Sequence, residues 1–168
     1  MCPLFDQPTI TEESIWQALR DVPDPEIPTV NLVDLGVILR VELDEANRRA
    51  RVLLLPTFTG CPAIAMMRDL IRERLEQLGL VAHVDVTREV RWSSDRISAA
   101  GRQALLAAGI APPPPAASSA IIELLEPATC PHCGSRHTLL DSAFGPTLCR
   151  AIAYCRDCKQ PFEQFKPL

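Results

Sequence analysis

Four of the seven cysteines form two Cys-X-X-Cys pairs, and their spacing is typical of a metal site. The first pair is Cys130 and Cys133, and the second pair is Cys155 and Cys158. Each pair on a tight turn presents two thiolates, and two such turns close a tetrahedral site. The spacing therefore predicts a zinc-ribbon-like module with these four ligands, in which zinc is the default metal and iron its competitor. Cys149, just upstream of the second pair, is a candidate extra ligand.

Two other uses of these cysteines stay open at this stage. The tetrapeptide Cys130-Pro131-His132-Cys133 also suits a dithiol oxidoreductase, but Gly134 follows at once and no long helical pattern comes after it. Structural disulfides are the second alternative. An odd number of cysteines and the lack of an apolar signal segment instead favour a reducing cytoplasm. We therefore expect a metal-binding protein in the cytoplasm.

A further thiol, Cys61, lies in the segment Pro56–Pro62 between two predicted elements. Gly60 permits a tight turn there, and Pro62 suits the first position of a helix. Backbone amides and the helix dipole at such a position favour the thiolate over the thiol. Cys61 is thus a candidate nucleophile or metal ligand, and the alternative is a small buried residue in place of an N-cap.

The segment Asp24-Pro25-Glu26-Ile27-Pro28 is the second candidate for chemistry outside the ribbon. Its prolines predict an extended loop that displays both carboxylates. Acidic residues in loops are usually solvated without a further role, and this alternative stays open.

Apolar periodicity predicts an α+β fold. It predicts helices over residues 11–22, 64–78 and 94–108. It also predicts a hairpin with strands over 37–43 and 50–55, and a further strand over 81–91. We expect a small α/β domain over 1–110, with a short sheet packed by helices. A proline-rich linker over 111–125 then holds a zinc-ribbon-like module, 126–168, at a distance.

Charge and hydropathy exclude two classes of partner. The chain has 17 basic and 21 acidic residues and a net charge of −4, without the basic face that phosphate binding requires. No apolar run approaches the roughly 20 residues of a membrane span. We expect protein partners, with neither nucleic acid nor membrane binding.

Three motifs together resemble the SufT-like family of iron-sulfur assembly and carrier proteins. They are the acidic loop 24–28, the step Asp34-Leu35-Gly36 and the segment Pro56–Pro62. The resemblance implies that the family's reactive thiol falls on Cys61 and its acidic loop on Asp24 and Glu26. The positions implied to support the thiol are Thr57, Thr59 and Gly60.

With the ribbon and the segment 144–149 included, the chain resembles the accessory component of the phenylacetyl-CoA 1,2-epoxidase system. Such a multicomponent oxygenase contains a di-iron hydroxylase and an iron-sulfur reductase. The resemblance implies a non-catalytic protein of phenylacetate catabolism with these subunits as partners. It would assist iron or iron-sulfur assembly through Cys61, with a transient cluster as cargo, and a homodimer is compatible with this role. The alternative is a docking subunit in which Cys61 is structural.

Overall fold

The computed structural model describes residues 10–114 and 126–167 and has the predicted α+β architecture. A single 3₁₀ turn, Ser94–Arg96, precedes the last helix. The helices are α1 (Glu12–Leu19), α2 (Ile64–Glu76) and α3 (Ala99–Ala107). The strands are β1 (Ile38–Asp44), β2 (Arg49–Leu54), β3 (Val81–Val86), β4 (Ile110–Ala111), β5 (Thr138–Ser142), β6 (Arg150–Cys155) and β7 (Pro161–Phe165). Most of the predicted linker lies outside the described residues. No helix in the described ranges has the length and apolar character to cross a membrane.

The first domain is a three-stranded sheet in the order β1-β2-β3, with helices against one face. β1 and β2 form the predicted antiparallel hairpin, and α2 is the crossover that places β3 parallel to β2. The core lies between the sheet and the two helices, where α1 contributes Ile15 and Leu19 and α2 contributes Ile71 and Leu75. His83 is exposed on the opposite face. This layering fixes the start of α2, the element that follows Cys61.

Two helices differ from their predicted bounds for local reasons. α1 begins after Thr11, whose side chain and that of Ser14 form reciprocal capping hydrogen bonds, but it ends at Leu19. Because Pro23 disfavours helical backbone at the preceding residue, the helix ends before Val22. The last predicted helix is split, and α3 begins only after Ser98, whose Oγ accepts a hydrogen bond from the Gly101 amide at 3.0 Å.

The ribbon is not held at a distance from the first domain, so that expectation is wrong. Its sheet has the order β4-β7-β6-β5, and β4 is the short strand that directly follows α3. β4 pairs in parallel with β7, with Ile110 opposite Glu163 and Ala111 opposite Gln164. The chain therefore enters the ribbon's own sheet before the prolines begin. Apolar periodicity does not reveal β4, because the strand has only two residues.

The side chains of Phe165 and Cys149, both from the ribbon, enter the core of the first domain. Phe165 is fully buried in the same hydrophobic cluster as Trp92, and the two ring centroids lie 5.7 Å apart. The Trp92 indole donates a hydrogen bond to the Leu35 carbonyl at 3.2 Å, which fixes the ring from the other side. Burial of a phenylalanine contributes about 1.5–3 kcal/mol to the free energy of unfolding. The orientation of the ribbon is thus set by the first domain's core.

Candidate functional site

The four ribbon cysteines come together in the geometry of a metal site. Their sulfur atoms lie within 4.8 Å of one another. The Sγ atoms of Cys130 and Cys158 are 3.7 Å apart, and those of Cys133 and Cys155 are 3.6 Å apart. Four sulfurs at about 2.3 Å from a tetrahedral zinc lie about 3.8 Å from each other, whereas a disulfide requires about 2.05 Å. The sulfur positions therefore fit a shared cation and not a disulfide.

Two matching backbone turns present these sulfurs. In the first turn, the Gly134 amide donates to the Cys130 carbonyl at 2.9 Å, and Gly134 has a φ of +74°. In the second turn, the Lys159 amide donates to the Cys155 carbonyl at 3.0 Å, and Lys159 has a φ of 62°. Glycine tolerates this left-handed backbone better than other residues, so the sequence revealed the first turn more clearly than the second.

Protons compete with a cation for these sulfurs. The backbone amide of Cys158 lowers the pKa of Cys155 to about 7. Partial burial, together with the neighbouring sulfurs, raises the pKa of Cys158 to about 12. Thiols must lose their protons to bind a metal, so the affinity of this site for a metal rises with pH.

Cys61 lies at the start of α2, close to its predicted place. It is half-buried and precedes Ala63, the N-cap residue, by two positions. The backbone amides of Ala63 and Ile64 lower its pKa. Burial nevertheless raises the pKa of Cys61, and the charges of Glu26 and Asp24 raise it further, so these effects outweigh the amides. The expectation that the helix start favours a preformed thiolate is therefore wrong.

The acidic loop is folded inward and does not display both carboxylates. Asp24 is only 4% exposed, and its Oδ1 accepts hydrogen bonds from the amides of Glu26 at 2.9 Å and Ile27 at 2.8 Å. Its own amide donates to the Val30 carbonyl at 2.8 Å. Burial raises the pKa of Asp24 more than these amides lower it. Glu26 is half-buried, and burial and then the Asp24 charge raise its pKa.

The residues expected to support Cys61 lie on an accessible surface. Thr57 is half-buried, whereas Thr59 and Gly60 are exposed. Both threonines line a cavity of about 430 Å³ that reaches Trp92. A Cβ added to Gly60 would meet no other atom within 4 Å, so packing does not require glycine at this position. The open surface beside Cys61 leaves room for a partner.

Cys149 is separate from the four-cysteine group. It precedes β6, whereas Cys155 ends that strand, and six residues of strand extend about 20 Å. Cys149 is buried in the core of the first domain, and its Sγ lies 3.2 Å from the Thr147 Oγ1. Burial raises its pKa, and so do the charges of Glu26 and Asp24, the same two carboxylates that act on Cys61. Cys149 was a candidate extra ligand because it lies just upstream of the second pair, but the structure does not bring it to the four sulfurs.

Arg150 is the cation whose charge acts on Asp24, Glu26 and Cys149. Its guanidinium pairs with the Glu163 carboxylate at 2.6 Å and donates to the Thr147 Oγ1 at 2.8 Å. Its charge lowers the pKa values of Asp24, Glu26 and Cys149, although other effects outweigh it at each. The charge of Arg150, a ribbon residue, thus acts on both carboxylates of the acidic loop in the first domain.

This combination of a helix-start thiol, an acidic loop and a four-cysteine ribbon defines an iron-sulfur assembly domain joined to a zinc ribbon. A family model described as iron-sulfur cluster assembly protein matches residues 12–86, and one described as PaaD zinc beta ribbon domain matches residues 115–166. The chain is 35% identical over 153 residues to a putative 1,2-phenylacetyl-CoA epoxidase subunit of Escherichia coli K12, covering 90% of each chain. The chain therefore belongs to the family of this epoxidase subunit.

Two further proteins resemble the first domain. An Fe-S protein maturation auxiliary factor of Porphyromonas gingivalis is 37% identical over 101 residues, which is 59% of this chain and 91% of that protein. The crystal structure of a DUF59 domain from Bacillus anthracis is 29% identical and has a TM-score of 0.52, covering 56% of this chain and 90% of that one. The Bacillus structure supports the predicted fold.

Proposed function

We propose that this protein is an accessory component of a multicomponent phenylacetyl-CoA epoxidase that assists the assembly of iron or an iron-sulfur cluster. The clients are the oxygenase or its reductase, and Cys61 is the thiol that handles the cargo. This proposal draws on the similarity of the chain to both the epoxidase subunit and the maturation factor. The protein itself carries out no catalysis in this role.

The observation that carries this proposal is the charge around Cys61. The Cys61 thiol is half-buried, and the charges of the Glu26 and Asp24 carboxylates raise its pKa. Negative charge disfavours a free thiolate, which a nucleophile requires, but it favours the approach of a cation. When a cation displaces the thiol proton, the two carboxylates attract the cation, and their charge then favours the thiolate-bound state. Thiolate ligands suit iron and iron-sulfur clusters, so the site is better suited to hold metal than to attack a substrate.

The ribbon has a resident metal in this proposal, and zinc is that metal. The four sulfurs occupy all corners of a tetrahedron and leave no open position, which is the pattern of a structural zinc site. The ribbon metal therefore stabilises the fold and is not the cargo.

A docking role without metal transfer is the second candidate. Phe144 is 85% exposed, and Leu148 on the same ribbon loop is also exposed. Exposed aromatic and aliphatic side chains are typical contact residues of protein interfaces. In this alternative the loop holds two subunits of the oxygenase together, and Cys61 is structural.

The experiment compares client proteins produced with wild-type protein, with a Cys61→Ser variant or with neither. We expect the oxygenase or its reductase to contain less iron and to turn over more slowly without the wild-type thiol. The variant should keep its ribbon metal, which is the control for folding. Full iron and normal turnover with Cys61→Ser would end the assembly role. A normal iron content together with lost turnover when the whole protein is absent would favour the docking role.

A further inference from the structure

We propose that a hydrogen-bonded bridge of Ser135, His137 and Asp157 holds the four-cysteine site closed and sets how slowly the ribbon releases its metal. All three side chains lie outside the four-sulfur ligand set, so each is a positioning residue. The inference rests on the resident ribbon metal of the proposed function and not on the role of Cys61. It assigns the permanence of that metal to three particular side chains.

The bridge joins the two turns that present the cysteines. Asp157 lies between Cys155 and Cys158 in the second turn. Its Oδ2 accepts a hydrogen bond from the Ser135 Oγ at 2.5 Å, and its Oδ1 lies 2.9 Å from the His137 Nδ1. The His137 amide also donates to the Ser135 Oγ at 2.9 Å. One carboxylate of the second turn therefore holds two side chains that follow the first turn.

Backbone hydrogen bonds connect the bridge to both turns. The Ser135 carbonyl accepts the amide of Cys130, in the first turn, at 2.8 Å. The His137 carbonyl accepts the amide of Arg156, in the second turn, also at 2.8 Å. Separation of the two turns must therefore break side-chain and backbone hydrogen bonds together.

The four cysteines are protected unequally, and the bridge lies where protection is weakest. Cys130 and Cys155 are only 1% and 0% exposed, so packing restrains both. Cys158 is half-buried, and Cys133 is exposed. Packing therefore restrains Cys133 least, and a competing chelator reaches this ligand most easily. Ser135 follows Cys133 by two residues, so the bridge restrains the segment that carries the exposed ligand.

The same three residue types form hydrolytic triads, but the contacts here have a different order. A nucleophilic serine in a triad is hydrogen-bonded to the imidazole, which takes its proton. The Ser135 Oγ instead donates to the Asp157 carboxylate. The carboxylate is thus the central acceptor of a bridge, and the geometry favours positioning over hydrolysis.

The strength of the bridge suits control of metal release. Hydrogen bonds to a carboxylate are stronger than those between neutral groups. However, the side chains of His137 and Asp157 are 62% and 54% exposed, so water and salt weaken their interaction. A bridge of this moderate strength slows the opening of the site without dominating the stability of the whole chain.

The test measures zinc release from the full, reduced chain to an excess of a chromogenic chelator at one fixed pH. Asp157→Ala removes the shared acceptor, so it should release zinc about three- to tenfold faster than the wild type. Ser135→Ala should also speed release, but it should add little to Asp157→Ala because the bond between them is already lost. The matched control is Asp141→Ala, which removes an exposed ribbon carboxylate on β5 and should leave the rate unchanged.

Cobalt substitution separates the lifetime of the metal from its ligation. Because no ligand is removed, each variant should bind one Co²⁺ per chain in the ribbon with the four-sulfur absorption spectrum of the wild type. His137→Ala should meet the same expectation and release zinc faster than the wild type, but not faster than Asp157→Ala. It perturbs an exposed side chain outside both turns, so it tests the bridge even if Asp157→Ala misfolds.

Unchanged release rates in Asp157→Ala and His137→Ala would overturn this inference. Equal acceleration in Asp141→Ala would overturn it as well, because net charge alone would then explain the rates. An altered cobalt spectrum or a lost metal in both bridge variants would show that the bridge builds the site, which also contradicts control of release alone. A wild type without a ribbon metal would overturn both this inference and the ribbon assignment. The iron content of client proteins produced with Cys61→Ser tests the cargo role separately.

Discussion

The strand β6 has a cysteine near each end, and the surroundings of the two cysteines differ. Cys155 ends the strand within a group of four sulfurs from the ribbon. Cys149 precedes the strand and is buried in the core of the first domain, where burial and then the charges of Glu26 and Asp24 raise its pKa. The four-sulfur group is complete within the ribbon. The surroundings of Cys149 exist only because the two domains pack together.

Under the proposed function, the ribbon holds one metal permanently and Cys61 handles another reversibly. Four thiolates in a closed tetrahedron bind zinc tightly, and a ribbon whose own buried core is small depends on that metal. The half-buried thiol of Cys61 has a raised pKa and binds a cation only by releasing its proton, which weakens binding at neutral pH. Weaker binding is an advantage for a cargo that must leave. Single substitutions should reveal this contrast, with the largest effect in the ribbon.

The largest expected effect is the loss of the ribbon metal in Cys133→Ser. Binding of structural zinc contributes about 10–16 kcal/mol in small modules, so the ribbon should unfold once a ligand is lost. Because Phe165 packs against Trp92, fluorescence of the first domain should change as well. Metal analysis and tryptophan fluorescence check both expectations. If the variant keeps one tightly bound metal per chain, the four-cysteine assignment is wrong.

The second prediction concerns the packing of Phe165, which joins the ribbon to the core of the first domain. Phe165→Ala removes a fully buried ring and should lower the free energy of unfolding by about 3–5 kcal/mol. The matched control is Phe144→Ala, because that ring is 85% exposed and should change stability by less than about 0.5 kcal/mol. Denaturant unfolding followed by circular dichroism measures both. Equal effects of the two substitutions would contradict the shared core.

Local features of this molecule could be predicted from the sequence. The Cys-X-X-Cys turns, the hairpin and the crossover helix each depend on spacing or periodicity within a short segment. The placement of Cys61 near the start of α2 follows from the same kind of local signal. These features needed no knowledge of which segments meet in space.

Apart from two helix boundaries, the features that sequence reasoning missed depend on contacts between distant segments. Nothing in the pattern around Phe165 shows that its partner is Trp92, so the ribbon was expected at a distance. The burial of Cys149 in the core of the first domain depends on that same packing. The pKa of Cys61 was also predicted in the wrong direction, because burial and two carboxylates oppose the local helix amides. Long-range packing and desolvation therefore set the chemistry of Cys61 and Cys149.

The third prediction concerns Asp34, a carboxylate outside the acidic loop. Its effect on stability is the comparison for the effect of Asp24. Burial opposes ionisation of Asp34, but hydrogen bonds from Ser98, Asn31 and Arg20 outweigh burial and lower its pKa. The Asn31 amide donates to Oδ2 at 2.6 Å, so Asp34→Asn would place two amide groups face to face. We expect a loss of about 1–3 kcal/mol in the free energy of unfolding at pH 7.

The sign of the pH dependence follows from the lowered pKa of Asp34. Its ionised form contributes stability above the unfolded-state pKa near 3.8, and this contribution is lost as pH falls through the lower folded-state pKa. The difference in stability between wild type and Asp34→Asn should therefore shrink below about pH 4. Subtracting the two proteins removes the common effect of the ribbon thiols. A difference that stays constant down to acid pH would show that Asp34 acts only by its shape.

The smallest expected effect on stability, with the opposite sign, belongs to Asp24→Asn. Burial raises the pKa of Asp24, so its charge costs stability in the folded protein, in contrast to the charge of Asp34. The substitution removes the charge and keeps an oxygen that can accept the amides of Glu26 and Ile27. At pH 7 the variant should be as stable as the wild type or slightly more stable, yet support less iron in the client proteins. Asp24→Ala is the control, because it leaves both amides unpaired and should cost about 1–3 kcal/mol. Denaturant unfolding and the iron content of the client proteins measure the two properties. A large loss of stability in Asp24→Asn would mean that the carboxylate serves the fold, whereas gained stability with less client iron would mean that this charge serves the proposed function.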